Sequence, residues 1–287
     1  MDFKTFRLVL FCLFISGTLS GQPNLLTANQ VIGLIKKNVG VPWSAQTVDT
    51  FKTGNPEDGV TGITTCMFAD MKVLQKAVAE KTNLIITHEP VFYNHLDETK
   101  NLENDLVYQA KIKFINDHKL IIWRFHDHFH RMKPDGIYAG MIEKLGWGKF
   151  QTDQSMVRFQ FDSQKLSQFV VKLKAIFPGS SLRVIGNPDL KFTGVALAVG
   201  APGSNEHIQL LQEPQIEVLV AGEAPEWETY QYVYDAQLQG KNKAVIFLGH
   251  ANSEEAGMNY CTTWLKGFLP KDLKINYVEN GSCFKTF

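Results

Sequence analysis

The sequence predicts an α/β protein of two lobes, with mixed and parallel sheets flanked by helices and a metal site at the strand carboxyl ends between the lobes. Three observations carry this. Strand-like apolar runs alternate with amphipathic helical segments over most of the chain, and a strand, helix, strand unit needs a crossover that pairs its strands in parallel. Three of those runs, at residues 84–87, 120–125 and 244–248, lead directly into polar segments that carry histidine. In open α/β sheets the carboxyl ends of parallel strands form the crevice where ligands bind, so histidines placed there converge although they are far apart in sequence.

The elements follow in order. Residues 1–21 carry a short basic start (Lys4, Arg7), an apolar stretch over 8–19 and the small residues Ser20 and Gly21. That is the layout of a cleaved secretory signal, too short to span a bilayer, so export to the periplasm or the extracellular space is expected, with no membrane contact after cleavage. Cys12 lacks the preceding small residues of a lipoprotein cleavage site, which disfavours lipid anchoring. Residues 27–38 read as an amphipathic helix with Val31, Leu34 and Ile35 on one face, followed by strands near 48–52 and 60–68. Asp70 can cap a helix to about residue 81 that buries Met71, Leu74 and Val78 ahead of the first histidine-tipped strand. A helix over 103–117, the second histidine-tipped strand and a helix over 136–145 complete the first lobe, residues 22–148, which 244–287 rejoins. The second lobe, 149–243, begins with a strand over 150–161 and a helix over 164–176, then strands at 182–185 and 192–199. A helix near 205–211, a strand at 216–220 and a helix over 225–239 complete it. The third histidine-tipped strand opens into a helix over 253–267 and a last strand at 274–278.

Composition excludes more than it identifies. Lys and Arg total 29 against 29 Asp and Glu, with no basic stripe, which argues against nucleic acid as a partner. Beyond the leader only Cys66, Cys261 and Cys283 remain, which permits one disulfide at most and has no zinc-site spacing; Cys66 reads as a small buried apolar side chain.

The histidine-bearing segments carry the chemistry. His126 and His130 are four apart and share a face if the chain turns helically, although Pro134 and Gly136 make a plain turn an equal alternative. His88 and Glu89 precede Pro90, which holds Glu89 extended, so the two point to opposite sides and suit different ions or opposite sides of a pair. His250 and Glu254 are again four apart, with Ser253 placed to cap a helix whose first turn contains Glu254 and Glu255. Three strand ends that each supply histidine beside another ligand point to metal. His128 alternates away from this set, and His95, His118 and His207 lack a partner pattern and read as surface or satisfied core residues. The loop 200–204 reads as a turn before a helix, while Glu223 and Trp227 are expected to line a pocket.

With these residues the chain resembles the NIF-three-like dinuclear-metal-centre family, also described as GTP cyclohydrolase I type 2-like. The blocks are residues 60–93, with Thr87-His88-Glu89-Pro90 where the family has a histidine pair before proline; 125–147; and Gly249-His250-Ala251-Asn252-Ser253-Glu254, with weaker support from 194–204 and 221–223. Glu89 stands where the family has its second histidine and His130 where it has aspartate, an exchange that keeps four imidazoles and two carboxylates. The resemblance implies two divalent ions held by His88, Glu89, His126, His130, His250 and Glu254, of zinc, iron, manganese, cobalt or nickel character. The function expected of such a centre is that of a metal-dependent hydrolase using a metal-bridging water on an unidentified small-molecule substrate, with Glu223 or Asp127 as the catalytic, proton-handling carboxylate. GTP itself suits an exported protein poorly. A homohexameric ring is implied as well, and a non-enzymatic metal-binding or protein-interaction assembly is the alternative.

Overall fold

The computed structural model describes residues 25–152 and 156–285, so the expected signal at 1–21 lies outside the described residues. In chain order the first elements are α1 (Ala28–Asn38), β1 (Phe51–Thr53), β2 (Ile63–Cys66), α2 (Met71–Ala79), β3 (Leu84–Thr87), α3 (Leu106–Asp117), β4 (Ile121–Arg124), α4 (Asp127–Arg131) and α5 (Gly136–Leu145). There follow β5 (Arg158–Lys165), α6 (Leu166–Ile176), β6 (Arg183–Ile185), β7 (Lys191–Ala198), α7 (Ser204–Gln212), β8 (Val218–Ala221), a π turn (Glu226–Tyr230), α8 (Gln231–Leu238), β9 (Ala244–Phe247), α9 (His250–Lys266) and β10 (Ile275–Tyr277).

The strands form two five-stranded sheets, ordered β1-β4-β3-β2-β10 and β5-β7-β8-β9-β6. In the first, β4, β3, β2 and β10 are parallel and β1 is an antiparallel edge; in the second, β7, β8 and β9 are parallel between antiparallel β5 and β6. Each parallel interior strand β2, β3, β4, β8 and β9 is buried at every residue, which is why these segments read as unbroken apolar runs rather than as alternating ones.

One boundary differs from the sequence reading. The sequence places residues 244–247 in the first lobe, but β9 pairs with β8 in the register Val218↔Ala244 through Ala221↔Phe247 and belongs to the second sheet. The crossover through α8 returns β9 beside β8, its neighbour in the chain. Only α9 and β10 rejoin the first lobe. Two further elements start later or earlier than expected: the strand at 150–161 is β5 from Arg158, and α9 begins at His250, three residues before Ser253.

Helix α9 therefore leaves the second sheet and packs on the first, against α5 through touching backbones. A Cβ at Gly140 would stand 2.4 Å from the carbonyl oxygen of Ala256, and one at Gly257 would stand 2.5 Å from Ile137 Cα. Cys66 and Cys261 are buried free thiols and Cys283 is an exposed one, and burial pushes the Cys66 thiol up to about 12.

Candidate metal centre

Three strand ends from the two sheets meet at one place. The end of β3 supplies His88 and Glu89, the turn from β4 into α4 supplies His126 and His130, and the turn from β9 into α9 supplies His250 and Glu254. The chain does turn helically after His126, so His126 and His130 share a face with their rings 5.1 Å apart; the His88 ring lies 4.6 Å from that of His126 and 5.0 Å from that of His130.

Each imidazole is fixed at Nδ1 and turns Nε2 inward. Nδ1 of His88 meets the Phe125 carbonyl oxygen at 3.1 Å, Nδ1 of His126 meets Asp127 Oδ1 at 2.9 Å, Nδ1 of His130 meets Asp135 Oδ2 at 3.0 Å, and Nδ1 of His250 meets Glu223 Oε1 at 3.1 Å. The four Nε2 atoms face two buried carboxylates. Glu254 is approached by His250 at 3.0 Å, His88 at 3.6 Å and His130 at 3.7 Å, and Glu89 by His250 at 3.3 Å and His126 at 3.7 Å. Nδ1 hydrogen bonds to carbonyl and carboxylate are the arrangement that orients a metal-ligating histidine and raises its basicity.

A cation fits this set. His88 is fully buried, and its Nε2 has no hydrogen-bond partner. Burial, reinforced by His126 and His130, holds its pKa well below the usual imidazole range, so it is neutral, with a proton on Nδ1 for Phe125 and a lone pair on Nε2. The ligand atoms of His88, His126 and His130 lie within 4.8 Å of one another, as do those of His88, Glu89 and Glu254. A mixed set of imidazole and carboxylate suits zinc and its first-row neighbours.

The DUF34/NIF3 (NGG1p interacting factor 3) family pattern matches residues 34–281. The chain belongs to this family. Among relatives it is 24% identical over 229 residues to a GTP cyclohydrolase 1 type 2 homolog of Clostridium acetobutylicum, covering 76% of this chain and 81% of that protein. It is 29% identical over 167 residues to a GTP cyclohydrolase 1 type 2 homolog of Mycoplasmopsis pulmonis, covering 53% and 61%. A Bacillus cereus protein related to NIF3 superposes with a TM-score of 0.70 at 14% identity, over 92% of this chain and 98% of that one. A Staphylococcus aureus hypothetical protein gives 0.68 at 16% identity, over 92% and 100%.

In this DUF34/NIF3 chain the electrostatics of the centre favour cations. Burial opposes ionisation of Glu89, but His250, His126 and Arg124 outweigh it and hold its carboxyl below the usual range. Burial likewise opposes charge on His250, yet hydrogen bonds to Glu223, Glu254 and Glu89 push it up to about 12. His130 is desolvated too, and Asp135 with Glu254 and Glu89 raises it. Without metal, a proton on His250 offsets part of the negative charge that the two carboxylates bring together.

Close backbone approach makes room for Glu254. A Cβ on Gly200, whose φ is +63°, would stand 2.1 Å from Glu254 Oε1, and one on Gly222 would stand 2.1 Å from the Gly200 carbonyl oxygen. Ser253 does not cap α9. Because the helix already starts at His250, its hydroxyl lies within the first turn, where it donates to the His250 carbonyl oxygen (2.7 Å) and accepts from the Gly200 amide (2.8 Å). Glu255 is buried and accepts from the Asn280 and Gly281 amides, clamping the C-terminal segment.

Asp127 is held at both carboxylate oxygens. Its Oδ1 meets His126 and its Oδ2 accepts from Thr47 Oγ1 (2.8 Å) and the Val48 amide (3.1 Å), contacts that overcome its burial and lower its carboxyl to about 2. Oδ1 thus orients His126, while Thr47 and Val48 occupy Oδ2. Glu223 touches His250 with a side chain 52% exposed, and Trp227, expected to line a pocket, is 76% exposed on the π turn.

Residues that the motif reading passed over also hold the centre. Buried Arg124, at the end of β4, donates to the His88 carbonyl oxygen (3.0 Å) and faces Glu89 Oε2 at 3.5 Å. Asp135 uses Oδ1 to cap α5 and Oδ2 to hold His130. Asp49 accepts from the amides of His126 (2.6 Å), Asp127 (3.0 Å) and His128 (2.8 Å) and meets His128 Nδ1 at 2.6 Å, so it caps α4 from outside the helix. His128 is accordingly buried outside the cluster, stacked on Trp43 at 3.6 Å. We expect Asp49→Ala to cost on the order of 3 kcal/mol in denaturant unfolding, because it orphans several amides at once. A loss below a few tenths of that would contradict the capping role.

Proposed function

We propose that this DUF34/NIF3 chain binds two divalent ions between His88, Glu89, His126, His130, His250 and Glu254 and acts as a metal-dependent hydrolase on a small molecule. The observation that carries the reading is the buried, unpartnered Nε2 of His88, which faces Glu254 from a ring fixed at its other nitrogen. Ions bound there would polarise the scissile group and acidify a water. The chain's own residues do the rest. Asp127, Asp135 and Glu223 hold His126, His130 and His250 in their ligating tautomers, and Arg124 restrains Glu89 through Oε2, so that Oε1 faces His126 and His250. Glu223, half-exposed and held ionised by its hydrogen bond to His250, is the carboxylate we assign to proton transfer.

The relatives' description as GTP cyclohydrolase 1 type 2 homologs supports hydrolysis as the reaction class. With export expected from the leader, a cyclic amide, a phosphoester or a peptide bond suits this chain better than GTP. We further propose the exported location and a ring-shaped hexamer, to be checked by N-terminal sequencing of the secreted protein and by light scattering. No helix among the described residues is long and apolar enough to cross a membrane. The test of function is a hydrolase substrate panel on metal-loaded protein with and without chelator. Chelator-sensitive turnover is expected; metal bound with no such turnover on any bond class would leave a binding protein only.

Metal uptake should depend on pH. Because the folded pKa values of His130 and His250 are raised, their protonation stabilises the metal-free fold fully below the ordinary imidazole range. That contribution is lost only as pH rises through the raised values, near 12 for His250. Metal must displace these protons, so affinity should climb as pH rises through neutrality, with roughly one proton released per displaced imidazolium. Calorimetry in buffers of different ionisation enthalpy reads that release. A pH-independent affinity with no proton release would contradict the charge state assigned to the two rings.

A further inference from the structure

His95 lies in the loop between β3 and α3, where the sequence offered it no partner, yet the fold brings it to the metal centre. Its ring stands edge-on to that of His126, with centroids 6.2 Å apart and planes at 83°. The side chain is exposed, and among the described residues neither ring nitrogen has a hydrogen-bond partner.

The backbone that carries this ring is tightly held. Arg124 donates from Nη1 to the His95 carbonyl oxygen at 2.6 Å and from Nε to the His88 carbonyl oxygen at 3.0 Å, so one buried guanidinium fixes both the loop and the metal-centre strand end. Asp97 Oδ1 accepts from the Val91 (2.6 Å) and Phe92 (2.9 Å) amides, while its Oδ2 faces Lys52 Nζ at 3.2 Å and Arg124 at 3.9 Å. Asn94 closes the turn by bonding both the carbonyl and the amide of Glu98. Tyr93 and Asp97 hold φ of +65° and +60°, a conformation costly for side-chain-bearing residues that persists only where surrounding contacts enforce it. A loop restrained to this degree, presenting a solvent-facing imidazole with free nitrogens beside a ligand cluster, places a group where bound substrate will be.

We propose that His95 is a substrate-contacting residue of this centre, hydrogen-bonding an oxyanion of the substrate, such as a phosphate or carboxylate group, held beside His126. The proposal rests on the metal-binding reading above. An imidazole can donate to an oxyanion without adding a fixed negative charge to a site that already contains Glu89, Glu254 and Glu223. Its placement on the loop rather than among the buried ligands predicts that it can be removed without loss of metal.

The test uses the full mature chain loaded with zinc and inorganic phosphate as the probe, with affinity measured by calorimetry and zinc by elemental analysis. His95→Ala should keep the zinc content of the parent and weaken phosphate binding about 10-fold, the value of one hydrogen bond to a charged group. His95→Gln, which retains an N–H donor, should recover part of that loss, and His118→Ala, a surface histidine remote from the centre, should bind phosphate like the parent. Equal phosphate affinity in His95→Ala and the parent would overturn the proposal, as would a zinc-loaded parent that binds no phosphate. A parent that takes up no zinc would instead overturn the metal-binding reading, and the role of His95 with it.

Discussion

Glu254→Ala is expected to abolish stoichiometric metal binding and to destabilise the metal-free chain. Three imidazoles face this carboxylate, at 3.0 Å from His250, 3.6 Å from His88 and 3.7 Å from His130, so its loss affects three of the four imidazoles at once. Loss of an outer group that merely orients a ligand costs about 10- to 100-fold in metal affinity, and loss of a carboxylate shared by three ligands should exceed the upper end of that range. In the metal-free protein the protonated His250 loses a buried counter-charge, and His130 loses one of the groups that raise its pKa. Breaking a buried pair costs about 3 kcal/mol or more, and partial exposure of the two imidazoles reduces the expected figure to about 2 kcal/mol. Calorimetric zinc titration and thermal unfolding with and without chelator measure the two effects separately. Affinity within a few-fold of the parent would exclude Glu254 as a ligand.

Gly140→Val should strongly destabilise the packing of the two lobe-joining helices. Its Cβ would stand 2.4 Å from the Ala256 carbonyl oxygen and 2.7 Å from Gly257 Cα, so the obstruction is backbone and no rotamer relieves it. Helices α5 and α9 would have to separate. Overpacking of this kind costs roughly 3 kcal/mol or more, and it would reach the centre as well, since Asp135 caps α5 while holding His130 and Glu254 projects from α9. Equilibrium unfolding should show the loss, and zinc affinity should fall in the same variant although no ligand has changed. Gly33→Val is the control: a Cβ at Gly33 meets nothing within 4 Å, so only the modest helix-propensity difference should appear.

Much of the centre was legible because its ligands sit where strand periodicity ends in histidine. His88 follows β3 directly, His126 and His250 follow β4 and β9 within a few residues, and the four-residue spacing of His126 to His130 and of His250 to Glu254 is a local property that sequence displays. Groups whose role depends on pairing across the chain were hidden. Asp49 caps a helix that starts 78 residues later, and no spacing rule joins them. Arg124 looked like one charge at the end of an apolar strand; only the fold shows it linking His88, His95 and Glu89. His95 was passed over for the same reason, since its neighbour His126 lies on a different strand end. Strand β9 was assigned to the first lobe because the helix after it returns there, whereas strand pairing is decided by β8. The hold on Asp127 was hidden in the same way, since Thr47 and Val48, which occupy its second oxygen, are brought in by the segment before β1.

Metal content per chain most directly tests the proposal that six converging side chains hold two divalent ions. Elemental analysis of the purified mature protein after equilibration with zinc and removal of free metal should give about two ions per chain, the stoichiometry of a two-metal site. His126→Ala combined with His250→Ala should lose both. A folded parent that retains no metal, or a double variant that still retains two ions, would contradict the account.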